Sequence, residues 1–125
     1  MPYLLDTWLT SQLDFLLARY GIESYGGAST IRFNDGPVIS QLEIFKNDNE
    51  VEIVITQSIS CGRSDITPRL SQCASPESIF GVVGGAFFLD NRVHLATVLP
   101  TDLTAEEWIT IYEHQKTLLI TFLGK

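Results

Sequence analysis

The spacing of the hydrophobic residues changes twice along this 125-residue chain. In residues 5–20 apolar side chains recur every three or four positions, which is the period of one face of an α-helix. In residues 30–55 and 86–99 the main period is two, which is typical of strands, and in residues 108–122 it is helical again. A chain with helices at both ends and strands between them is expected to pack its helices against a sheet.

The ends of both helices are marked by residues that cap helices. Gly21 follows the first apolar stripe and can adopt the left-handed conformation that ends a helix, while Arg19 complements the negative end of the helix dipole. Pro100 stops the last strand, and Thr104 with Glu107 forms a capping box at the start of the last helix. The chain therefore predicts one helix before the strands and one after them.

Three polar turns divide the strand region. Asp35-Gly36 predicts a hairpin, residues 47–50 form the next turn, and Asp90-Asn91 predicts a second hairpin. The weakly patterned segment 60–78 predicts an irregular link or a short helix starting at Ser75. The predicted fold is α+β in a single domain, residues 1–125, with this order: helix, three-stranded antiparallel meander, link, two-stranded hairpin and helix. The helices are expected to pack on one face of a twisted antiparallel sheet of five strands.

The charge of the chain argues against several classes of function. There are 15 acidic and 8 basic residues, which gives a net charge of −7, and the basic residues are scattered, so nucleic-acid binding is not expected. No apolar run approaches the roughly 20 residues of a membrane span, and the N-terminus lacks the features of a signal peptide. We therefore expect a cytoplasmic protein that does not insert into membranes, in which Cys61 and Cys73 are free thiols.

The sequence offers no convincing catalytic or metal-binding motif. His94 is predicted on the outward side of a strand and His114 among polar neighbours of the last helix, so both are interpreted as surface residues. The glycine-rich stretch 81–88 lacks a phosphate-binding pattern, and the acidic turn at residues 47–50 lacks the ligand pattern of a calcium loop. The prediction is a protein that is not an enzyme and has no catalytic residues, cofactor or metal.

The chain carries more apolar surface than one core absorbs. The alternation places Ile39, Phe45, Val54 and Val98 on the outward side of the sheet, and both helices are apolar beyond one stripe. A contiguous set of exposed apolar residues marks a binding surface. The alternative is that the segment 60–78 covers some of these side chains.

The pattern resembles the class I type III secretion chaperones. The resemblance covers nearly the full chain and rests on the opening helix ending in ARYGI, the three-stranded meander and the segment FFLDNRVHLATVLPTDLTAEEW. It implies a small acidic homodimer in the cytoplasm of a Gram-negative bacterium. Such a protein binds the N-terminal segment of a secreted virulence effector and keeps it soluble and competent for secretion, without hydrolysing ATP.

The resemblance also implies which residues make contacts. The dimer interface would contain Ile79, Phe80, Val82, Val83 and Phe87. The effector-binding residues would be Leu4, Trp8, Phe15, Ile39, Phe45 and Val54. The chain departs from the family in residues 67–85, which form a poor helix where the family has its middle helix.

Two other readings remain open from the sequence. The first is a small α+β enzyme or small-molecule-binding protein with a cavity lined by the sheet, which a buried histidine beside a carboxylate would favour. The second is an adaptor that dimerises within a larger assembly and needs no unfolded client.

Overall fold

A computed structural model describes residues 7–23, 26, 29–47, 50–60 and 84–123. Within these ranges the chain forms two helices and five strands: α1 Thr7–Arg19, β1 Thr30–Asp35, β2 Val38–Asn47, β3 Glu50–Ser60, β4 Gly84–Leu89, β5 Arg92–Leu99 and α2 Ala105–Leu123. The strands form one sheet in the order β1-β2-β3-β5-β4, and every neighbouring pair is antiparallel. The predicted α+β class and element order are confirmed. The predicted link or short helix in residues 60–78 lies, apart from Ser60, outside the described residues.

Both predicted hairpins are present, but the first turn lies one residue later than predicted. Asp35 is still paired with Val38, so the two-residue loop is Gly36-Pro37, and Gly36 has a φ of 61°, which suits a type II′ turn between β1 and β2. Asp90 and Asn91 have φ values of 54° and 57°, and positive values at both positions are the mark of a type I′ turn. These turns fix the register of each hairpin and therefore decide which side chains face the helices.

The inward face of the sheet and the two helices enclose the core. Within the register, Leu42 of β2 lies opposite Ile55 of β3, and Ile55 lies opposite Thr97 of β5. The buried aliphatic residues of the strands follow the predicted alternation: Val38, Leu42, Ile44, Ile53, Ile55, Val93, Leu95 and Leu99. From the helices the core receives Leu9, Leu13, Leu16, Leu17, Trp108, Ile111, Tyr112 and Leu119.

The first helix ends in a Schellman motif. The amide of Ile22 donates to the carbonyl oxygen of Leu17 at 3.0 Å, and the amide of Gly21 donates to that of Ala18 at 3.2 Å. Gly21 has a φ of 85°, which only a glycine adopts without strain. The predicted stop signal is therefore confirmed.

The second helix begins with the predicted capping box. The Thr104 hydroxyl oxygen accepts a hydrogen bond from the Glu107 amide at 3.3 Å, and the Glu107 carboxylate accepts one from the Thr104 amide at 2.9 Å. The indole of Trp108 donates to the Pro100 carbonyl oxygen at 2.8 Å, and the Ala105 amide donates to the Gln12 side chain at 2.7 Å. These bonds tie the start of α2 to the end of β5 and to α1.

Trp8 lies beside the buried stripe of α1 and not within it. It is 47% exposed, whereas Leu9 and Leu16 are buried. At about 100° per residue, Trp8 lies roughly a quarter turn from Leu9, on the same flank as Phe15. The four buried leucines of α1 contact the core, and Trp8 lies at the border of the core.

Candidate protein-binding surface

The outer sheet face is the side of the five-stranded sheet that points away from α1 and α2. Four large apolar side chains are substantially exposed there: Phe45 (47%), Phe87 (43%), Leu89 (55%) and Val98 (48%). Ile39 and Val54 lie on the same face and are partly buried. The prediction that Ile39, Phe45, Val54 and Val98 share the outward side is confirmed, and β4 adds Phe87 and Leu89 to it.

One end of this face is apolar and bordered by carboxylates. Phe45 lies opposite Glu52, and Val54 lies between Glu43 and Val98 in the register. A depression of about 420 Å³ opens here, lined by Phe45, Glu50, Val51, Glu52, Val98, Leu99, Pro100 and Thr101. We call it the Phe45 depression.

The opposite end of the face is aromatic and more polar. The rings of Phe87 and His94 stack with centroids 4.7 Å apart and an interplanar angle of 2°. A His94 ring nitrogen lies 3.3 Å from the carbonyl oxygen of Leu89. A depression of about 260 Å³ lies beside this stack, lined by Arg32, Ile39, Gln41, Glu43, Thr56, Ser58, Phe87, Leu89 and His94. We call it the Phe87 depression.

The sheet also ends in two edge strands. Among the described residues, β1 pairs only with β2 and β4 pairs only with β5. Each edge therefore presents backbone groups to which an extended segment of another chain could pair.

The predicted effector-binding residues fall on two separate surfaces. Ile39, Phe45 and Val54 are on the outer sheet face, whereas Trp8 and Phe15 are exposed on α1. Phe15 borders a depression of about 370 Å³ with Ser11, Gln12, Thr104, Ala105 and Glu106. Leu4 lies outside the described residues.

Of the predicted dimer residues the structure describes Phe87. It belongs to β4, and its ring is exposed on the outer sheet face. The others, Ile79, Phe80, Val82 and Val83, lie outside the described residues, as do Cys61 and Cys73.

A polar network lies on the opposite, helix-facing side of the sheet. The Tyr112 hydroxyl lies 2.7 Å from the Ser40 hydroxyl and donates to the Asp35 carboxylate at 2.9 Å. Lys116 donates to Asp35 at 3.0 Å and to Glu113 at 3.1 Å, and Glu113 accepts a bond from Tyr20 at 2.9 Å. This chain of bonds joins α2 to β1, β2 and the end of α1.

The network stabilises the neutral form of its tyrosines. Burial raises the pKa of Tyr20 far above its usual value, and its hydrogen bond to the Glu113 carboxylate adds to that increase. Burial likewise raises the pKa of Tyr112, the Ser40 hydrogen bond opposes the increase and Asp35 adds to it. Burial alone would lower the pKa of Lys116, but its bonds to Asp35 and Glu113 raise it overall. Tyr20 and Tyr112 are neutral and the ammonium of Lys116 is paired, so these groups do not form an activated nucleophile with its base. Their hydrogen bonds instead connect α2 to the first hairpin and to the end of α1.

The sequence did contain a signal for this network. Ser40 occupies an inward position between Val38 and Leu42, where a polar side chain needs a buried partner. Gln57 is a second polar residue at an inward position of the sheet, and its side-chain amide donates to the Tyr112 carbonyl oxygen at 3.0 Å. The predicted faces rested on their apolar residues, so the hydrogen bonds of Ser40 and Gln57 were not predicted.

The two histidines differ in their surroundings. His94 lies on the outer sheet face as predicted. His114 was expected at the surface, but it is half-buried and its Nε2 atom is buried without a hydrogen-bond partner among the described residues. His114 lies in the middle of α2, next to the buried Gln115. Among the described residues, no group of three or more His, Cys, Asp or Glu side chains is arranged to hold a metal ion. In the same part of the chain, neither helix combines the length and apolarity of a membrane span.

Comparison with known proteins places the chain close to none of them. No protein-family model matches it, and no curated protein does. Among solved structures it is similar to YbjN from E. coli, described with its structure as a candidate transcription regulator, with 14% identity and a TM-score of 0.46 over 90% of this chain and 87% of YbjN. At that identity and TM-score the similarity assigns neither a family nor a function to the chain.

Proposed function

We propose that this protein is a client-binding chaperone of the type III secretion kind. It acts as a homodimer in the cytoplasm of a Gram-negative bacterium and binds the N-terminal segment of a secreted effector. The observation that supports this most is the outer sheet face, where Phe45, Phe87, Leu89 and Val98 are exposed on one side of a single sheet. Several large apolar side chains exposed on one face are typical of a surface that binds another protein.

The client segment binds in an extended form. An edge strand supplies backbone hydrogen bonds to one part of the segment, and the Phe45 depression receives a side chain from another part. A segment that becomes ordered only on binding loses conformational entropy, and a long apolar contact offsets that loss. No step of this mechanism needs a nucleotide or an activated side chain.

The exposed aromatic residues divide between two partners. Phe87 contacts the second copy of the chain, and Ile39, Phe45 and Val54 contact the client. Trp8 and Phe15, about two helical turns apart on the same flank of α1, form a second client contact on the helical side of the molecule. A client long enough to reach both surfaces wraps around the protein.

Affinity capture from the bacterium that makes this protein tests the proposal. The tagged protein is recovered while type III secretion is active, the bound proteins are identified by mass spectrometry, and the complex is treated with protease. We expect one secreted protein whose N-terminal segment is protected from cleavage, and a Phe45→Ser/Val98→Ser variant should lose it. A Glu23→Gln variant, changed at an exposed site on another part of the molecule, serves as the control. Recovery of no secreted protein under these conditions would contradict the proposal.

A further inference from the structure

The charged residues of the outer sheet face are not evenly distributed. At the end that carries Phe45 and Val98 the outward charged side chains are carboxylates: Glu43, Glu50 and Glu52. Towards the other end they are Arg32 and Arg92. The face is therefore apolar at both ends but acidic at only one.

The Phe45 depression combines three properties that suit a cationic side chain. Its volume of about 420 Å³ is the larger of the two on this face. The described residues that line it include two exposed carboxylates, Glu50 and Glu52, and no cation. Its exposed ring, Phe45, can receive the alkyl stem of a lysine or the plane of an arginine, while a carboxylate pairs with the charged group.

The neighbouring charged residues do not cancel this preference. Glu43, two positions before Phe45 on β2, is a further carboxylate near this end of the face, although it lines the Phe87 depression, and its Oε1 accepts a hydrogen bond from the neutral amide of Gln41 at 3.0 Å. Lys46 follows Phe45 in β2 but is already engaged in an interaction within the protein. The net charge of −7 acts in the same direction, since it attracts basic segments from a distance.

From these observations we infer that the outer sheet face binds an extended segment in which an arginine or lysine adjoins an apolar residue, with the basic side chain in the Phe45 depression. This inference rests on the proposed client binding and specifies the chemistry of the client. The segment runs along the outer sheet face from Phe45 towards Ile39. These two residues are six positions apart on β2, so about six extended residues, at roughly 3.3 Å each, cover the distance between them.

The Phe87 depression has a different lining. Phe87 and His94 stack there, and one guanidinium, that of Arg32, and one carboxylate, that of Glu43, lie among the polar side chains of Gln41, Thr56 and Ser58. Arg92, close by, donates hydrogen bonds to the hydroxyl and carbonyl oxygens of Ser58, both 3.1 Å long. This depression lacks the excess of carboxylates found at Phe45, so it is not expected to select a basic side chain.

Synthetic peptides test this inference without knowledge of the client. The probe is a fluorescently labelled ten-residue peptide of alternating apolar and threonine residues with two arginines at one end, and its partner probe has glutamates in place of the arginines. Binding to the full chain is measured by fluorescence anisotropy at low and moderate salt. We expect the arginine probe to bind at least tenfold more tightly than the glutamate probe.

Variants locate the binding site and separate it from general attraction to an acidic protein. Glu50→Gln/Glu52→Gln should weaken the arginine probe about fivefold at low salt, since each exposed charge pair contributes modestly. Glu23→Gln/Asp90→Asn removes the same charge from exposed sites elsewhere and should leave binding within twofold. Phe45→Ser should weaken binding at least as much as the double glutamine variant.

The possible results distinguish this inference from the proposed function. Equal weakening by both double variants, equal affinity for both probes, or no binding of the arginine probe would overturn the inference. The capture of a protected secreted client could still succeed in each of those cases and would support the proposed function alone. A change in oligomeric state caused by Glu50→Gln/Glu52→Gln would show that a second copy occupies this end of the face, and would also overturn it.

Discussion

The hydroxyl of Tyr112 donates a 2.9 Å hydrogen bond to the carboxylate of Asp35, which lies 77 positions earlier in the chain. This bond connects the middle of α2 to the hairpin turn between β1 and β2. The same hydroxyl lies 2.7 Å from that of Ser40 on β2, so one phenol bridges two groups of the first hairpin. The rings of Tyr20 and Phe33 pack around it, with the Tyr20 centroid 4.6 Å from that of Tyr112.

Replacing Tyr112 with phenylalanine should destabilise the fold by about 1–2 kcal/mol. The ring and its packing remain, but the buried Ser40 hydroxyl and the Asp35 carboxylate each lose a partner. Urea unfolding at neutral pH measures the change. Thr110→Val, which removes an exposed hydroxyl from the same helix, is the control and should change stability by less than about 0.5 kcal/mol. Equal losses in the two variants would show that the network contributes nothing to stability.

Stability should fall as the pH rises above about 10. The pKa values of Tyr20 and Tyr112 are raised in the folded protein, so in this range the unfolded chain loses phenolic protons that the folded chain keeps. The raised pKa of Lys116 acts in the same direction, since its charged form persists to higher pH in the folded protein than in the unfolded one. The stability that these groups contribute is thus complete below about pH 10 and is lost on further increase.

Urea midpoints between pH 8 and 11, combined with the ultraviolet absorbance of tyrosinate, measure this dependence. We expect Tyr20 and Tyr112 to ionise only as the protein unfolds, and we expect Tyr112→Phe to reduce the slope of stability against pH. Ionisation of all four tyrosines near pH 10 with the fold intact would contradict the prediction.

Gly21→Ala should destabilise the protein by about 1 kcal/mol through its backbone conformation alone. Gly21 has a φ of 85°, and a Cβ added there meets nothing within 4 Å, so the cost is that of the left-handed conformation and not of a clash. Gly85→Ala is a matched control, because Gly85 has equally open space and no positive φ. Thermal unfolding of the two variants compares them directly, and a larger loss at Gly85 than at Gly21 would refute this account.

The fold could be predicted because its signals are local. The periods of the apolar residues, the turn residues at Gly36 and Asp90-Asn91, and the caps at Gly21 and Thr104 each act within a few positions. All of them agree with the same arrangement, and that agreement is what specifies a fold.

The polar network could not be read from the sequence in the same way. Asp35 occupies a turn position that accounts for an acid by itself, and nothing local connects it to a tyrosine 77 positions later. The burial of His114 was not predictable for a similar reason, since it depends on how α2 packs in the fold.

The exposed apolar surface was predicted in part. The alternation of residues along the strands predicted that Ile39, Phe45, Val54 and Val98 lie on the outer face of the sheet. The separation of Trp8 and Phe15 from that set depends on the packing of α1.

Phe87→Ser should shift the protein from dimer towards monomer. Phe87 is 43% exposed on β4, an edge strand in the described part of the sheet, and a large aromatic side chain at an interface commonly contributes more than its share of the binding energy. We expect the dimer dissociation constant, measured by sedimentation equilibrium, to rise at least tenfold. Phe15→Ser removes an aromatic of similar exposure from α1 and should leave it within about twofold. A wild-type protein that stays monomeric at micromolar concentration would refute the proposed homodimer. A dimer weakened equally by both variants would show that its interface is not at β4, since Phe15 lies on a different surface of the molecule.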